Sequence, residues 1–211
     1  MGTLKQGILG GVSGKVGNVV GFRRKGKDII RVQAATVSDA RTPKQLQQRQ
    51  KVAEAIAFLK PILPFIRIGY KNYAQERTAY NTATSYLMKR CISTNEEGVV
   101  VVDLQRVMVS IGFLNGAPNA SANRETNKVV FGWEDNSGEG NAESTDIVML
   151  LIYNKEKGTA VYSTHAGLRS ESTASIPIPE DWKKDSLATY LSFISADEEE
   201  VSNSIINILE P

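Results

Sequence analysis

The chain has 211 residues, 41% of them hydrophobic and 23% charged, with a formal net charge of +2, a length that fits one large domain or two small ones. A single cysteine, Cys91, excludes an internal disulfide and any cysteine-based metal cluster. No stretch approaches the ~18 apolar residues of a membrane span, and MGTLKQGILGG lacks the apolar run of a secretory signal, so the expected site of synthesis is the cytoplasm, without a signal peptide.

The small net charge conceals a division. Residues 1–92 hold 17 Lys/Arg against 4 Asp/Glu, and residues 93–211 hold 8 against 19. Two domains are expected on that line, 1–92 basic and 93–211 acidic. The basic half calls for a polyanion, an acidic protein surface, or the acidic half of a neighbouring copy.

In chain order, the first feature is a glycine-rich arm, Gly7 to Arg31, with six glycines between Gly7 and Gly21. Val19–Arg24 and Asp28–Gln33 read as short strands around Lys25-Gly26-Lys27, a basic β-hairpin whose glycine suits a tight turn. Its cations, with Lys15 before it, are the candidate polyanion or partner contacts: Lys15, Arg23, Arg24, Lys25, Lys27 and Arg31. Thr42-Pro43 is a helix start. The helix that follows has Leu46, Ala53, Ile56, Ala57 and Leu59 near one face, and Pro61 and Pro64 break it. A second helix is expected from about Tyr73 to Arg90, with Tyr73, Tyr80, Ala83, Leu87 and Cys91 as its apolar stripe. The polar stretch STNEEG, 93–98, reads as a linker, and VVVVD, 99–103, as an edge strand.

Beyond it the pattern turns to β. Seven strands are expected: Gln105–Phe113, Lys128–Trp133, Asp146–Tyr153, Thr159–Thr164, Thr173–Ile178, Leu187–Ile194 and Asn203–Leu209. Their spacing predicts an immunoglobulin-like antiparallel β-sandwich, with Trp133 or Trp182 as the aromatic plug. The expected fold class is therefore α+β: an N-terminal β-hairpin arm and a helical hairpin, then the sandwich.

Motifs for chemistry fail on spacing. In GGVSGKVG the first glycine of a phosphate loop would fall at Leu9, and Val16 replaces the magnesium-holding hydroxyl. Lys15 stands where a nucleophile elbow needs glycine. His165 is the only histidine and reads as a turn residue beside Gly167. Asp135, Ser137, Glu139 and Asp146 match calcium-loop positions, with strands instead of helices around them; a polar turn is the preferred reading, so no metal is expected. Tyr70, Tyr73, Tyr80 and Tyr86 mingle with Lys71, Arg77, Lys89 and Arg90, a mixture that can bind single-stranded nucleic acid.

Three stretches carry a resemblance: KQGILGGVSGKVGNVVGFRRKGKDIIR, ARTPKQLQQRQK and FLKPILPFI. With VSIGFLNGAPNA, FGWEDNSGEGNAESTD and LSFISADEEEVSNSI, they make nearly the whole chain resemble a large uncharacterised family, a domain of unknown function. Its members open with G-x-x-G-K-x-G-x-V-V-G, here Gly11–Gly21, and are common in gut and environmental Gram-negative bacteria, also in phage-like contexts. Phe22-Arg23-Arg24 departs from the aromatic usual before Lys-Gly. The resemblance implies no catalytic residues and permits a virion location.

The expected function is a non-enzymatic structural or assembly protein of a multi-subunit particle, a phage head or neck component by preference, docking through its basic arm. Its expected partners are copies of itself and other subunits, with no cofactor and no small-molecule substrate. The alternative is a nucleic-acid-binding protein using the basic residues of 1–92.

Overall fold

The computed structural model describes residues 3–4, 11–24, 26–34, 36, 39–74, 77–95 and 98–211. The chain divides into two compact units, Met1–Thr42 and Pro43–Pro211.

The first unit is an antiparallel sheet of β1 (Thr3–Leu4), β2 (Val12–Val16), β3 (Val19–Arg24) and β4 (Lys27–Val32), hydrogen-bonded in that order. The expected hairpin is present. Arg24 pairs with Lys27, and Gly26 takes a φ of 77° that an L side chain rarely adopts; Lys25 lies outside the described residues. The glycine-rich stretch adds a strand of its own, since Val16 pairs with Val19 across Gly17-Asn18. Gly21 is the one buried residue among those described here. A Cβ on it would meet the Val12 carbonyl, so glycine permits that close approach.

In the second unit, α1 (Pro43–Leu59) starts on proline, whose fixed φ suits the first turn. Pro61 and Pro64 do not end the helical run as expected. Each sits in the first turn of a new segment, the 3-10 turn Lys60–Ile62 and α2 (Leu63–Gly69), where no intrahelical N–H is needed. The buried stripe is Ala55, Phe58, Leu59, Ile62, Phe65 and Ile66, at helical spacing through both prolines. This corrects the expected face: of its members only Leu59 is buried, while Leu46 and Ile56 are each 44% exposed. The next helix, α3 (Ala79–Arg90), begins later than Tyr73, because Thr78 caps it by accepting the Asn81 N–H at 3.2 Å. Ala83, Leu87 and Cys91 of its expected stripe are buried, whereas Tyr73 is 46% exposed.

The described part of STNEEG is not a linker, and Glu96 and Glu97 lie outside the described residues. Ser93 and Thr94 belong to β5 (Ile92–Thr94), which pairs with β6 (Val100–Val102) in a hairpin closed by Asn95 and Gly98. The expected strand Gln105–Phe113 does not form either. Val107 and Val109 are buried in alternation, but their stretch has no strand partner: the Val109 N–H donates to Ser204 Oγ and the Ile111 N–H to the Gly69 carbonyl. In its place β7 (Ser121–Arg124) forms inside the expected turn NGAPNASANRETN.

The remaining six strands match expectation: β8 (Lys128–Gly132), β9 (Ile147–Asn154), β10 (Thr159–Ser163), β11 (Thr173–Pro177), β12 (Leu187–Ile194) and β13 (Ile205–Leu209). With β7 they build two open antiparallel sheets, β11-β8-β7 and β10-β9-β12-β13. The four-stranded sheet is buried on both sides. Met149, Leu151, Tyr153, Ala188 and Tyr190 join the helices in one core, with Phe58 4.6 Å from Tyr153 between ring centroids. Val148, Leu150, Ile152, Leu191 and Phe193 point the other way, into a core with Phe131, Trp133, Ile176 and Trp182. Period-2 alternation thus feeds two cores. Cys91 and Ile92 sit in the first of them, so the expected boundary at 92/93 falls within continuous packing.

Candidate interaction surfaces

Register sorts the candidate contacts of the N-terminal sheet between two faces. Directly paired residues share a face, so Lys15, Val20 and Arg31 lie on one side, with Phe22 and Ile29, and Arg24 and Lys27. That side carries four cations and, among the described residues, no carboxylate; the Arg31 guanidinium stands 5.7 Å from the Phe22 ring centroid. Arg23 faces the other way, where Asp28 lies 3.9 Å from it. Val16, Val19, Ile30 and Val32 lie on that second side with Gly14 and Gly21. Val16, Ile30 and Val32 are 55%, 60% and 75% exposed.

A second surface lies on the body of the protein. Tyr73, Arg77, Thr82, Ser85, Tyr86, Lys89 and Arg90 line a cleft of about 370 Å³. The Tyr73 ring stacks on Phe113, centroids 5.8 Å apart at 23°. Burial raises the pKa of Tyr86, the nearby Cys91 adds to this, and Arg90 opposes it; its hydroxyl donates to the Arg106 carbonyl at 3.2 Å. The structure therefore separates the aromatic–basic mixture of the sequence. Tyr70 is core, its hydroxyl 2.7 Å from the Met108 carbonyl oxygen. Lys71 bonds the Glu198 carbonyl, and Tyr80 lines another cleft with Ile56 and Leu63.

The calcium-like loop is organised by an arginine. Asp146 is buried and its Oδ2 accepts from Arg169 Nε at 3.0 Å and Nη2 at 2.9 Å. Nη1 donates to Asn136 Oδ1 at 2.6 Å and Nη2 to the Asn115 carbonyl at 2.7 Å. The guanidinium also lies 4.0 Å from the Phe193 ring centroid. Asp135 is exposed and caps its own turn through the Ser137 N–H and hydroxyl, which lowers its pKa. Glu139 contributes its carbonyl to the Asn115 side chain. The side chains of Asp135, Ser137 and Asp146 thus have protein partners, Glu139 is held through its backbone carbonyl, and among the described residues no three His, Cys, Asp or Glu side chains gather as metal ligands. His165 is an exposed turn residue, its Nδ1 3.1 Å from Thr164 Oγ1.

No pattern in the sequence points to Arg169, one arginine in a polar segment, or to Phe113, which reads as the end of a strand. Phe113 is 69% exposed, with one face against Tyr73.

These features define a mixed α+β protein with several open antiparallel sheets and a helical layer. Among the described residues no helix is long and apolar enough to cross a membrane. The chain belongs to the family of unknown function DUF6266, whose model matches residues 11–207. No curated protein matches it in sequence.

Proposed function

We propose that this chain is a non-enzymatic structural or assembly protein, docking on other subunits through the apolar face of its N-terminal sheet. One observation carries the reading. Val16, Ile30 and Val32 stay exposed on a sheet whose described part buries only Gly21. A small sheet with no core is marginal in water, and each such side chain gains roughly 1.5–3 kcal/mol when fully buried. A partner surface supplies that burial. The cations of the opposite face add steering toward acidic surfaces, which residues 93–211 offer in excess on a second copy. Contact between unlike patches of identical chains is head-to-tail, the geometry of rings and filaments. The single histidine and the failed motif spacings support a non-enzymatic role.

Strands β7–β13 support an immunoglobulin-like reading of the two packed sheets. The orders β11-β8-β7 and β10-β9-β12-β13 arise when strands A, B and E form one sheet and C′, C, F and G the other. Fold analogy does not itself fix the role.

Light scattering on the full chain tests docking. The expected result is a salt-sensitive oligomer that Val16→Ser, Ile30→Ser and Val32→Ser together disperse, with the melting of the 43–211 body unchanged. A strict monomer at all concentrations overturns the reading. A phage head or neck is the particle we favour, and detection of the chain in purified virions tests that extension separately.

A further inference from the structure

We propose that the cleft between the Lys71–Tyr73 turn and α3 binds a nucleotide unit, its phosphate held by Arg77, Lys89 and Arg90 and its base stacked on Tyr73. The inference stands apart from the docking reading, since it concerns the body and not the N-terminal sheet.

Three features converge. First, the lining holds three cations and, among the described residues, no carboxylate, so the field inside it favours a dianion. Second, α3 presents Thr82, Ser85, Tyr86 and Lys89 at helical i, i+3, i+4 and i+7 spacing. This polar, cationic stripe is distinct from the buried Ala83 and Leu87. The Thr82 hydroxyl donates to the Thr78 carbonyl and the Tyr86 hydroxyl to the Arg106 carbonyl, so Ser85 and the Lys89 ammonium are the donors this stripe offers to phosphate oxygens. Third, Tyr73 and Phe113 stack on each other while remaining 46% and 69% exposed. Phe113 backs one face of Tyr73, with the rings inclined at 23°, and the Tyr73 ring in the cleft lining is a surface of the kind on which bases stack irrespective of sequence. A phosphate site beside a stacking platform, within 370 Å³, matches one nucleotide. The unit can come from a free mononucleotide or from a single-stranded chain.

The test uses the full chain and a fluorescein-labelled twelve-residue oligothymidylate, read by anisotropy at low salt. Binding is expected to weaken at least tenfold in R77Q/K89Q/R90Q, with the log–log salt slope reduced by about 0.7, one phosphate neutralised on a single strand. Tyr73→Ala is expected to weaken binding by about five- to a hundredfold, while Tyr73→Phe, which keeps the stacking ring, stays within about twofold of the parent. The Ala/Phe pair decides the matter even if the triple variant fails to fold. K15Q/R24Q/K27Q/R31Q, which strips the N-terminal sheet, must keep the Tyr73 dependence. Competition by adenosine monophosphate at the concentration that saturates the cleft identifies the free nucleotide as the source; displacement only by unlabelled oligomer identifies the strand. The proposal is overturned if Tyr73→Ala binds like the parent, if duplex DNA binds as tightly as the single strand, or if inorganic phosphate competes as well as the nucleotide. Light scattering on the same variants keeps this outcome separate from docking, because loss of oligonucleotide binding with oligomers intact leaves the docking reading of the N-terminal sheet standing.

Discussion

The N-terminal sheet β1-β2-β3-β4 and the central sheet β10-β9-β12-β13 have equal strand numbers and the same antiparallel ladder. Every residue of β12 is buried, and its side chains alternate into two cores. Of the described residues in the N-terminal sheet, Gly21 alone is buried. Composition follows the same line: residues 1–42 carry 8 Lys/Arg and 2 Asp/Glu, while residues 43–211 carry 17 and 21. A ladder hydrogen bond contributes only about 0.5–1.5 kcal/mol net, because water competes for both groups. The two sheets therefore differ in the burial that accompanies their bonds. One is packed on both faces; on the docking reading proposed above, the other is the surface that a partner would cover.

The largest expected effect breaks the scaffold at its charged centre. Asp146→Ala leaves the Arg169 guanidinium buried beside Phe193 with its main counter-charge removed, at a cost of about 3–5 kcal/mol. Asp146→Leu with Arg169→Met removes both charges and is expected to recover most of that loss, since the desolvation cost goes with them. Urea denaturation followed by the fluorescence of Trp133 and Trp182, both buried in the neighbouring core, measures it. An unchanged midpoint in Asp146→Ala would mean that the pair does not organise this side of the body.

A matched truncation sharpens the contrast between the sheets. Leu150 is fully buried between the sheets of the body, and Leu150→Ala is expected to cost about 2–5 kcal/mol, transfer and cavity together. Ile30→Ala removes a similar side chain from a strand where it is 60% exposed, and its effect on the same urea transition should stay within about 0.5 kcal/mol. Equal losses would show that Ile30 belongs to the folding unit of the body, and the surface assignment would fall.

What the sequence could show follows from the same physics. β9 and β12 were legible because a strand buried on both faces reads as a near-continuous apolar run. The face of α1 was not, since Val52, Ala53, Ala55, Ile56, Ala57, Phe58 and Leu59 put apolar residues all round the helix. Continuation past Pro61 to Ile62, Phe65 and Ile66 decides which side packs. In 105–113 the alternation of Val107, Val109 and Ile111 reported burial correctly, yet a helix end and a serine hydroxyl take the place of a neighbouring strand. Ser121–Arg124 has almost no apolar signal. It is held by pairing with β8 and by Arg124, whose guanidinium donates to the carbonyls of Lys183, Asp185 and Leu209. For the surfaces, the cations of the arm were visible in the sequence, but only register separates Arg23, beside Asp28, from the four on the other face.

The smallest expected effect is a pH dependence confined to the body. Residues 1–42 contain neither Cys nor Tyr. In the body, burial pushes the Cys91 thiol from 9.0 up to about 11, with Asp103 adding to the rise and Arg106 and Arg90 opposing it. Burial also raises the Tyr70 and Tyr190 hydroxyls far above the ordinary phenol range. For each group the folded state holds its proton at a pH where the unfolded chain has released it, so stability falls as pH rises. The Cys91 contribution is whole well below pH 9 and fades between 9 and about 11, with a loss on the order of 1 kcal/mol between pH 9 and 10. The tyrosines extend the decline above pH 10. In Cys91→Ala the slope of urea stability between pH 9 and 10, before the tyrosines dominate, should flatten, while oligomer size at fixed salt stays unaltered across that interval. An undiminished slope would assign the alkaline loss to groups other than this thiol, and a parallel change in oligomer size would tie the N-terminal surface to the titration of the body after all.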